Sequence, residues 1–479
     1  MSENVFAAVD LGAASGRVVR GEIGPDRIDL REVHRFPNRP LPLPDGLHWN
    51  LGALFEQLCA GLAAAGPVRS AGIDSWAVDY GLLDADGALL GLPYHYRHPR
   101  RSAAAPIGPA ELFERTGLAD QPFNTIHQLR AESAARLAAA RNLLLIPDLL
   151  GYWLTGRIGA ERTNASTTGL FHATGQDWDR DLIDRLDLPQ RFFAPVHDPG
   201  TPLGPVRPAL RDAIGGHDPT LIRVASHDTA SAVAAVPARS ARFAYICTGT
   251  WSLVGLERPD PLLSRQARER GFTNETGVAG IRFLRNVMGL WLLQECLREW
   301  PGAQTAALVA SAAELPALRT LIDVDDPGFL APAQIGGPPM TERIAAHRDG
   351  PAPRTPAEFT RCVIDSLAIG HARALADAVA VHGEDVEVVH LVGGGVHNAP
   401  LCQATADACD RPVAAGPAEA TALGNLLAQG IAANVLPDWR GARYLVAHTH
   451  PPVHYSPSGD PAWRTALDRV TALARKRAA

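Results

Sequence analysis

FAAVDLGAASGRVVRGE, residues 6–22, decides the fold. An apolar run closes on Asp10, a turn of small residues follows, and a second apolar run returns. The pattern predicts strands over Val5–Leu11 and Gly16–Ile23 around a tight turn at Gly12–Ser15. RIDLREVHRF at 27–36 predicts a third strand. Halfway along the chain, FAYICTGTWSLVGLE at 243–257 repeats the motif of apolar strand, small polar turn and apolar strand. Two such hairpins predict two related domains facing each other. The polar, Pro-bearing segment AAVPARSAR at 234–242 divides them, giving domains of 1–237 and 238–479.

Outward from the hairpins the reading is mixed α/β. RSAGIDSWAVDYGLLD at 69–84 and LIRVAS at 221–226 predict strands, with helical material around 128–156 between them. A long helix is predicted at about 286–300. An alanine-rich helix then leads to the strand EVVHLVGGG at 387–395, and helix–strand–helix units run to about 435. The tail PAWRTALDRVTALARKR, 461–477, has apolar residues at helical spacing and is predicted to pack back on the body.

Composition excludes several function classes. A chain of 479 residues exceeds one ordinary core. With a net charge of −6 and no basic stripe, neither a nucleic-acid nor a membrane partner is expected. The N-terminus has no signal-peptide pattern, and the most apolar stretch, LLLIPDLLGYWL at 143–154, is broken by Pro147 and Asp148. A cytoplasmic protein is expected. Cys59, Cys247, Cys296, Cys362, Cys402 and Cys409 form no CxxC pair, so reduced thiols are expected rather than zinc ligands. The single lysine is Lys476, close to the C-terminus. A P-loop, a protein-kinase fold and Schiff-base chemistry each need an internal lysine, so ATP would have to be held by backbone amides, hydroxyls and arginine.

Several residue groups could carry chemistry. Asp10 precedes Gly12-Ala13-Ala14-Ser15-Gly16, whose small side chains let backbone N–H groups approach an anion, with Arg17 alongside. The carboxylate is useful there if Mg²⁺ lies between it and phosphate; the alternative is a hairpin turn whose Asp bonds its own backbone. In LIRVASHDTASAVAA, 221–235, Asp228 stands between a strand end and a helix start. It is either an N-cap or a base that accepts a hydroxyl proton, and the two roles are compatible. His227 is a sugar-hydroxyl partner or a structural histidine. Ser75-Trp76-Ala77-Val78-Asp79-Tyr80 joins ring faces to a carboxylate, as a sugar site does, or as a core tryptophan does. On the predicted helix, Asn286 and Gln294 would lie roughly 12 Å apart. Gly393-Gly394-Gly395 implies close backbone approach but not a dinucleotide motif. Gly424, inside a predicted helix, implies contact with adenine or with another helix.

Taken in order, VDLGAASGRV, GIDSWAVDYGLLD, PFNTIHQLRA, IPDLLGYWLTG, TNASTTGLF, ASHDTASAV, GTWSLVGLE, LVGGGVHN and AGPAEATALGN resemble the FGGY carbohydrate kinases over nearly the whole chain. The resemblance implies a two-domain α/β fold of the actin-like ATPase (ribonuclease H-like) type, with an interdomain cleft closing on sugar and ATP. It implies that Ala13, Ala14, Ser15, Gly16 and Arg17 form the first phosphate loop, and that Thr250, Gln294 and Gly394 contact nucleotide. It further implies Asp228 as proton acceptor, His227, Thr229, Asn286 and Ala77 as substrate contacts, and Asp10 beside magnesium. The activity implied is transfer from ATP to the C1 hydroxyl of L-rhamnulose. Glycine is frequent in the family where this chain has Ala77, which keeps open a kinase for another ketose such as L-fuculose or L-ribulose. A non-catalytic sugar or nucleotide sensor, and either a monomer or a dimer, also remain open.

Overall fold

The computed structural model describes residues 4–98, 100, 107–330 and 337–478. Val5–Leu11 is buried along its whole length and pairs antiparallel with Ser15–Ile23, which sets Asp10 opposite Arg17. Ile28–Pro37 extends this hairpin, and Ser70–Ser75 adds in parallel on the other side with Asp74 opposite Asp10. A strand flanked on both sides reads as an apolar run, which is why residues 5–9 carry no polar alternation. The six-stranded sheet has the order Pro202–Pro205, Thr220–Ile222, Ser70–Ser75, Val5–Leu11, Ser15–Ile23, Ile28–Pro37. Helix Leu51–Ala65, capped by the Asn50 side chain, packs on this sheet through Leu51, Leu54, Leu58 and Leu62 at helical spacing.

By proximity the chain divides into two units. The first takes the run up to Pro237 together with Glu257–Phe283 and Ala420–His450; the second takes Ala238–Leu256, Leu284–Glu419 and the run from Pro451. Helix Ala420–Ala432 therefore belongs with the first sheet although it follows most of the second unit in sequence. A Cβ on Gly424 would stand 1.8 Å from the carbonyl oxygen of Ser231, in helix Asp228–Ala234. Of the two explanations for that glycine, contact with another helix is the one found.

The second unit repeats the hairpin, Phe243–Thr248 with Trp251–Arg258, and again a parallel strand, Val388–Val392, lies on the far side. Val413–Ala415 and Val453–Tyr455 continue the sheet, parallel and then antiparallel. Helix Pro356–His382 opens with a capping box from Thr355 and Glu358. The predicted tail helix runs over Ala462–Ala478 and buries Trp463, Ala466 and Val470.

Four expectations are corrected. The predicted strand at 69–84 is two strands, Ser70–Ser75 and Tyr80–Leu83, because Val78 turns the chain with φ 67°. The strand at 221–226 ends at Ile222. Within 128–156, Asn142–Leu145 is a strand that pairs with Tyr80–Leu83, between helices Ala134–Ala139 and Ile146–Thr155. The helix predicted at 286–300 is strand Ile281–Met288 followed by helix Trp291–Glu299. Gly289 separates those two, since any Cβ there would stand 2.5 Å from the carbonyl carbon of Trp251. Asn286 and Gln294 therefore lie on different elements, and a common helix axis does not relate them. Among the described residues no helix is long and apolar enough to cross a membrane. All six cysteines are free thiols.

Candidate active site

In the first unit the C-terminal ends of three strands converge. Beyond Ile222 the chain stays extended, and the Ser75 N–H donates to Ser226 O at 2.9 Å, with a parallel bridge between Ser75 and His227. The Trp76 N–H donates to Leu11 O at 3.3 Å, which ties the same corner to the first hairpin. Asp10, Ala77, His227, Asp228 and Thr229 thus share one sheet edge, the position where an open α/β sheet presents its loops.

Asp228 opens the short helix Asp228–Ala234, and its Oδ1 accepts the Thr229 backbone N–H at 2.6 Å and the Thr229 hydroxyl at 3.1 Å. Its side chain remains 30% exposed, so a ligand can reach the carboxylate. Burial lifts its pKa above the ordinary aspartate value, His227 opposes the shift, and repulsion from Asp10 adds to it. The residue before the helix is His227, so Asp228 is the first helical residue and not the N-cap.

His227 is buried and held on both ring nitrogens. Nε2 lies 3.3 Å from Asp228 Oδ1, while Nδ1 lies 3.0 Å from Arg282 Nη2 and 3.2 Å from Glu275. Arg282, fully buried, also donates to Glu275 at 2.9 Å, and its charge leads the effects that keep the Glu275 carboxyl low against burial. Arg282 can only donate and the Glu275 carboxylate can only accept, so the pair brackets Nδ1 from both sides and fixes the ring with Nε2 toward Asp228. A second buried acid, Glu161, fixes the backbone just upstream. Its carboxylate accepts from the Ser226 N–H at 3.0 Å, the Ser226 hydroxyl at 2.8 Å and the Thr163 hydroxyl at 2.6 Å. Glu161, Glu275 and Arg282 lie far from Asp228 in sequence, and no local pattern marks them.

Arg17 donates to Asp10 Oδ2 from Nε at 2.8 Å and from Nη2 at 2.7 Å. The turn between them is braced by Asn38, whose side chain donates to Gly12 O at 2.9 Å and whose N–H donates to Ala14 O at 3.0 Å. Ala13, Ala14 and Ser15 reach the surface, whereas Gly16 is buried and a Cβ there would stand 2.4 Å from the Phe36 ring. Glycine at that position is required by the aromatic ring. Beside Asp10 sits Asp74, which sequence reasoning missed because it lies inside an apolar strand and only the register reveals it. Burial, with Asp10 and Asp228 nearby, raises its pKa far above the usual range, so the neutral acid is favoured. Asn425 donates to it at 2.6 Å, and Gln429 ties Asn425 to Ala7 O and Ser70.

In the second unit the hairpin turn Gly249-Thr250 receives the N–H of Leu290 at 2.8 Å and of Trp291 at 3.2 Å, so helix Trp291–Glu299, carrying Gln294, starts against it. Gly393, φ 88°, and Gly395 press on Thr248: added Cβ atoms would stand 2.9 Å from its carbonyl oxygen and 2.2 Å from its Cγ2. Gly394 between them faces open space. Thr250, Gln294 and Gly394 thus border the ends of adjoining elements, while Asn286 is half-buried on the strand before Gly289.

Residues 101–235 match the N-terminal domain, and 244–433 the C-terminal domain, of the FGGY family of carbohydrate kinases. The chain is 40% identical to a rhamnulokinase of Enterococcus faecalis over 94% of each chain. It is 36% identical to a rhamnulokinase of Bacteroides thetaiotaomicron, covering 97% of this chain and 98% of that one. Xylulose kinase from Lactobacillus acidophilus, solved with ligand bound, superposes with a TM-score of 0.78 over 99% of both chains at 13% identity. Plasmodium falciparum glycerol kinase with ADP superposes at 0.73, over 99% of this chain and 98% of that one, at 14% identity. The solved structures establish the fold, which is the two-domain α/β fold of the actin-like ATPase type.

Proposed function

The chain belongs to the FGGY family of carbohydrate kinases, and on that premise we propose that it transfers the γ-phosphoryl group of ATP to the C1 hydroxyl of L-rhamnulose, in L-rhamnose catabolism. The products are ADP and L-rhamnulose 1-phosphate. The observation that carries the reaction is Asp228, a ligand-accessible carboxylate whose orientation is set by His227 and Thr229 beside the Asp10–Arg17 turn. Likeness to the rhamnulokinases over nearly the full length supports the choice of sugar.

Asp228 accepts the proton of the C1 hydroxyl as its oxygen attacks the γ-phosphorus and ADP leaves, a contribution of about 10²–10⁴ in rate. His227 and Thr229 keep the carboxylate turned toward the hydroxyl, and Ala77 and Asn286 contact the sugar. Ala13 to Arg17 offer backbone amides and one guanidinium to phosphate oxygens, and Thr250, Gln294 and Gly394 contact the nucleotide. We assign the base and, apart from Asn286, the sugar contacts to 1–237, and most nucleotide contacts to 238–479.

Asp10 suits magnesium. Arg17 occupies only its Oδ2, and among the described residues no cluster of three acidic, histidine or cysteine groups forms a cage. Such a donor set fits an ion that keeps its waters and binds through one carboxylate and substrate phosphates. When bound, it would neutralise charge on the phosphates. The reading includes a cytoplasmic location, where ATP is supplied.

Ala77, with its extra methyl, favours a second reading, in which the ketose is L-fuculose or L-ribulose. ADP release with the three ketoses decides: highest kcat/KM on L-rhamnulose is expected, and a preference for either other sugar overturns the assignment.

A further inference from the structure

Between Ser70 and Leu83 every residue is buried except Ala77, which is half-buried. It is presented by a rare backbone feature. The Asp79 N–H donates to Ala77 O at 2.9 Å across Val78, whose φ is 67°. This is a γ-turn of the positive-φ form, which is strained for any residue with a Cβ and most of all for a β-branched one. Glycine would make the same turn without strain. A strained conformation persists only where the surroundings over-determine it, and here they do.

The Asp79 carboxylate is buried and accepts four donors. Oδ2 takes Trp49 Nε1 at 2.6 Å, Trp76 Nε1 at 3.0 Å and the Tyr96 N–H at 3.1 Å, and Oδ1 takes Gln128 Nε2 at 2.8 Å. The carbonyl of Val78 accepts the Thr125 hydroxyl at 2.6 Å. With its acceptor sites engaged, Asp79 is not a sugar ligand, although a carboxylate next to Trp76 invites that reading. It acts instead as an anchor. The anchored turn sits where Ser75 bridges to His227 and Trp76 bonds to Leu11, directly beside the base.

We propose that Asp79, Thr125 and Gln128 are positioning residues for substrate specificity: they hold Val78 in the strained turn and so fix the Ala77 backbone and methyl group against the ketose. The proposal rests on the reading of this sheet edge as a ketose site. A tightly held turn makes one methyl group a gauge of sugar shape, whereas a relaxed turn lets that methyl retreat and the discrimination fade.

Thr125→Val removes the hydroxyl at constant shape. It is expected to raise the KM for the preferred ketose about tenfold, to leave the KM for ATP unmoved, and to narrow the kcat/KM ratios among L-rhamnulose, L-fuculose and L-ribulose. Thr125→Ser restores the donor and should restore the ratios. In an Ala77→Gly background the effect of Thr125→Val on those ratios should shrink, because the methyl it positions is gone. Ratios that do not move in Thr125→Val, or effects of the two substitutions that multiply independently, would overturn the proposal. If Thr125→Val does not fold, Gln128→Met, which removes the donor to Asp79, is read by the same ratios. A wild-type protein that phosphorylates none of the ketoses overturns the functional reading itself; an active wild type with unmoved ratios overturns only the role of the turn.

Discussion

The two hairpins share a topology and differ in chemistry. Each is an antiparallel pair with a parallel strand on its far side, Val5–Leu11 beside Ser70–Ser75 and Phe243–Thr248 beside Val388–Val392. Near the turn of the first, Asp10 faces Arg17, one pair before the strand end; at the end of the second, Thr248 faces Ser252. The first has the buried acid Asp74 beside it, and Glu161 and Glu275 brace the neighbouring Ser226–His227 segment, each engaged by polar partners. Around the second, Gly289 and Gly393 bring backbone against backbone, and Gly395 lies against the Thr248 side chain. On the proposed function, one framework serves two tasks: presenting a carboxylate for proton transfer, and offering close, uncharged surface to a nucleotide.

If that division is correct, its sharpest break is Asp228→Asn. Turnover is expected to fall about 10²–10⁴-fold with sugar binding retained, read by kcat alongside calorimetric ketose binding. Near-normal kcat would remove Asp228 as the base. On the other side, Gly395→Ala drives a methyl into Thr248 and is expected to raise the KM for ATP roughly tenfold, about 1.4 kcal/mol, with the ketose KM unchanged. A shift in the ketose KM instead would erase the division of labour.

Arg17→Ala should raise the KM for ATP by several-fold and leave Asp10 without its cation. An unchanged KM would make Arg17 a purely structural partner of Asp10.

The smallest effect sharpens the contrast in charge. Asp148 is pushed up to about 8 by burial and the neighbouring Glu161. It stays protonated in the native state but ionises near 4 when unfolded. Its stabilising contribution is full below that lower value and is lost as pH rises toward 8. Asp148→Asn should flatten the decline and raise stability at pH 9 relative to the wild type, read from Tm against pH. An unaltered slope would trace the decline to other groups.

Legibility in the sequence followed locality. The strands of both hairpins, the tail helix and the missing internal lysine are visible in consecutive residues, because strand alternation and turn chemistry act over a few positions. The misreadings have a common cause. Residues 69–84 look like one strand because a valine at φ 67° leaves no compositional trace, and 286–300 looks like one helix because only contact with Trp251 shows that Gly289 ends a strand. Asp10 and Asp228 stand in recognisable motifs, whereas Asp74 acquires meaning only from its register against Asp10.

By itself, then, the sequence determined the strand–turn–strand frames, the absence of an internal lysine, and the motif in which Asp228 stands as a candidate base. Tertiary structure alone decided how Asp228 is oriented, in which direction burial and charge push the acids near it, and how Ala77 is presented. The physical reason is burial. The charge and direction of a carboxylate depend on the donors and charges packed around it, and from distant parts of the chain Glu161 reaches Ser226, Glu275 and Arg282 reach His227, and Thr125 reaches Val78.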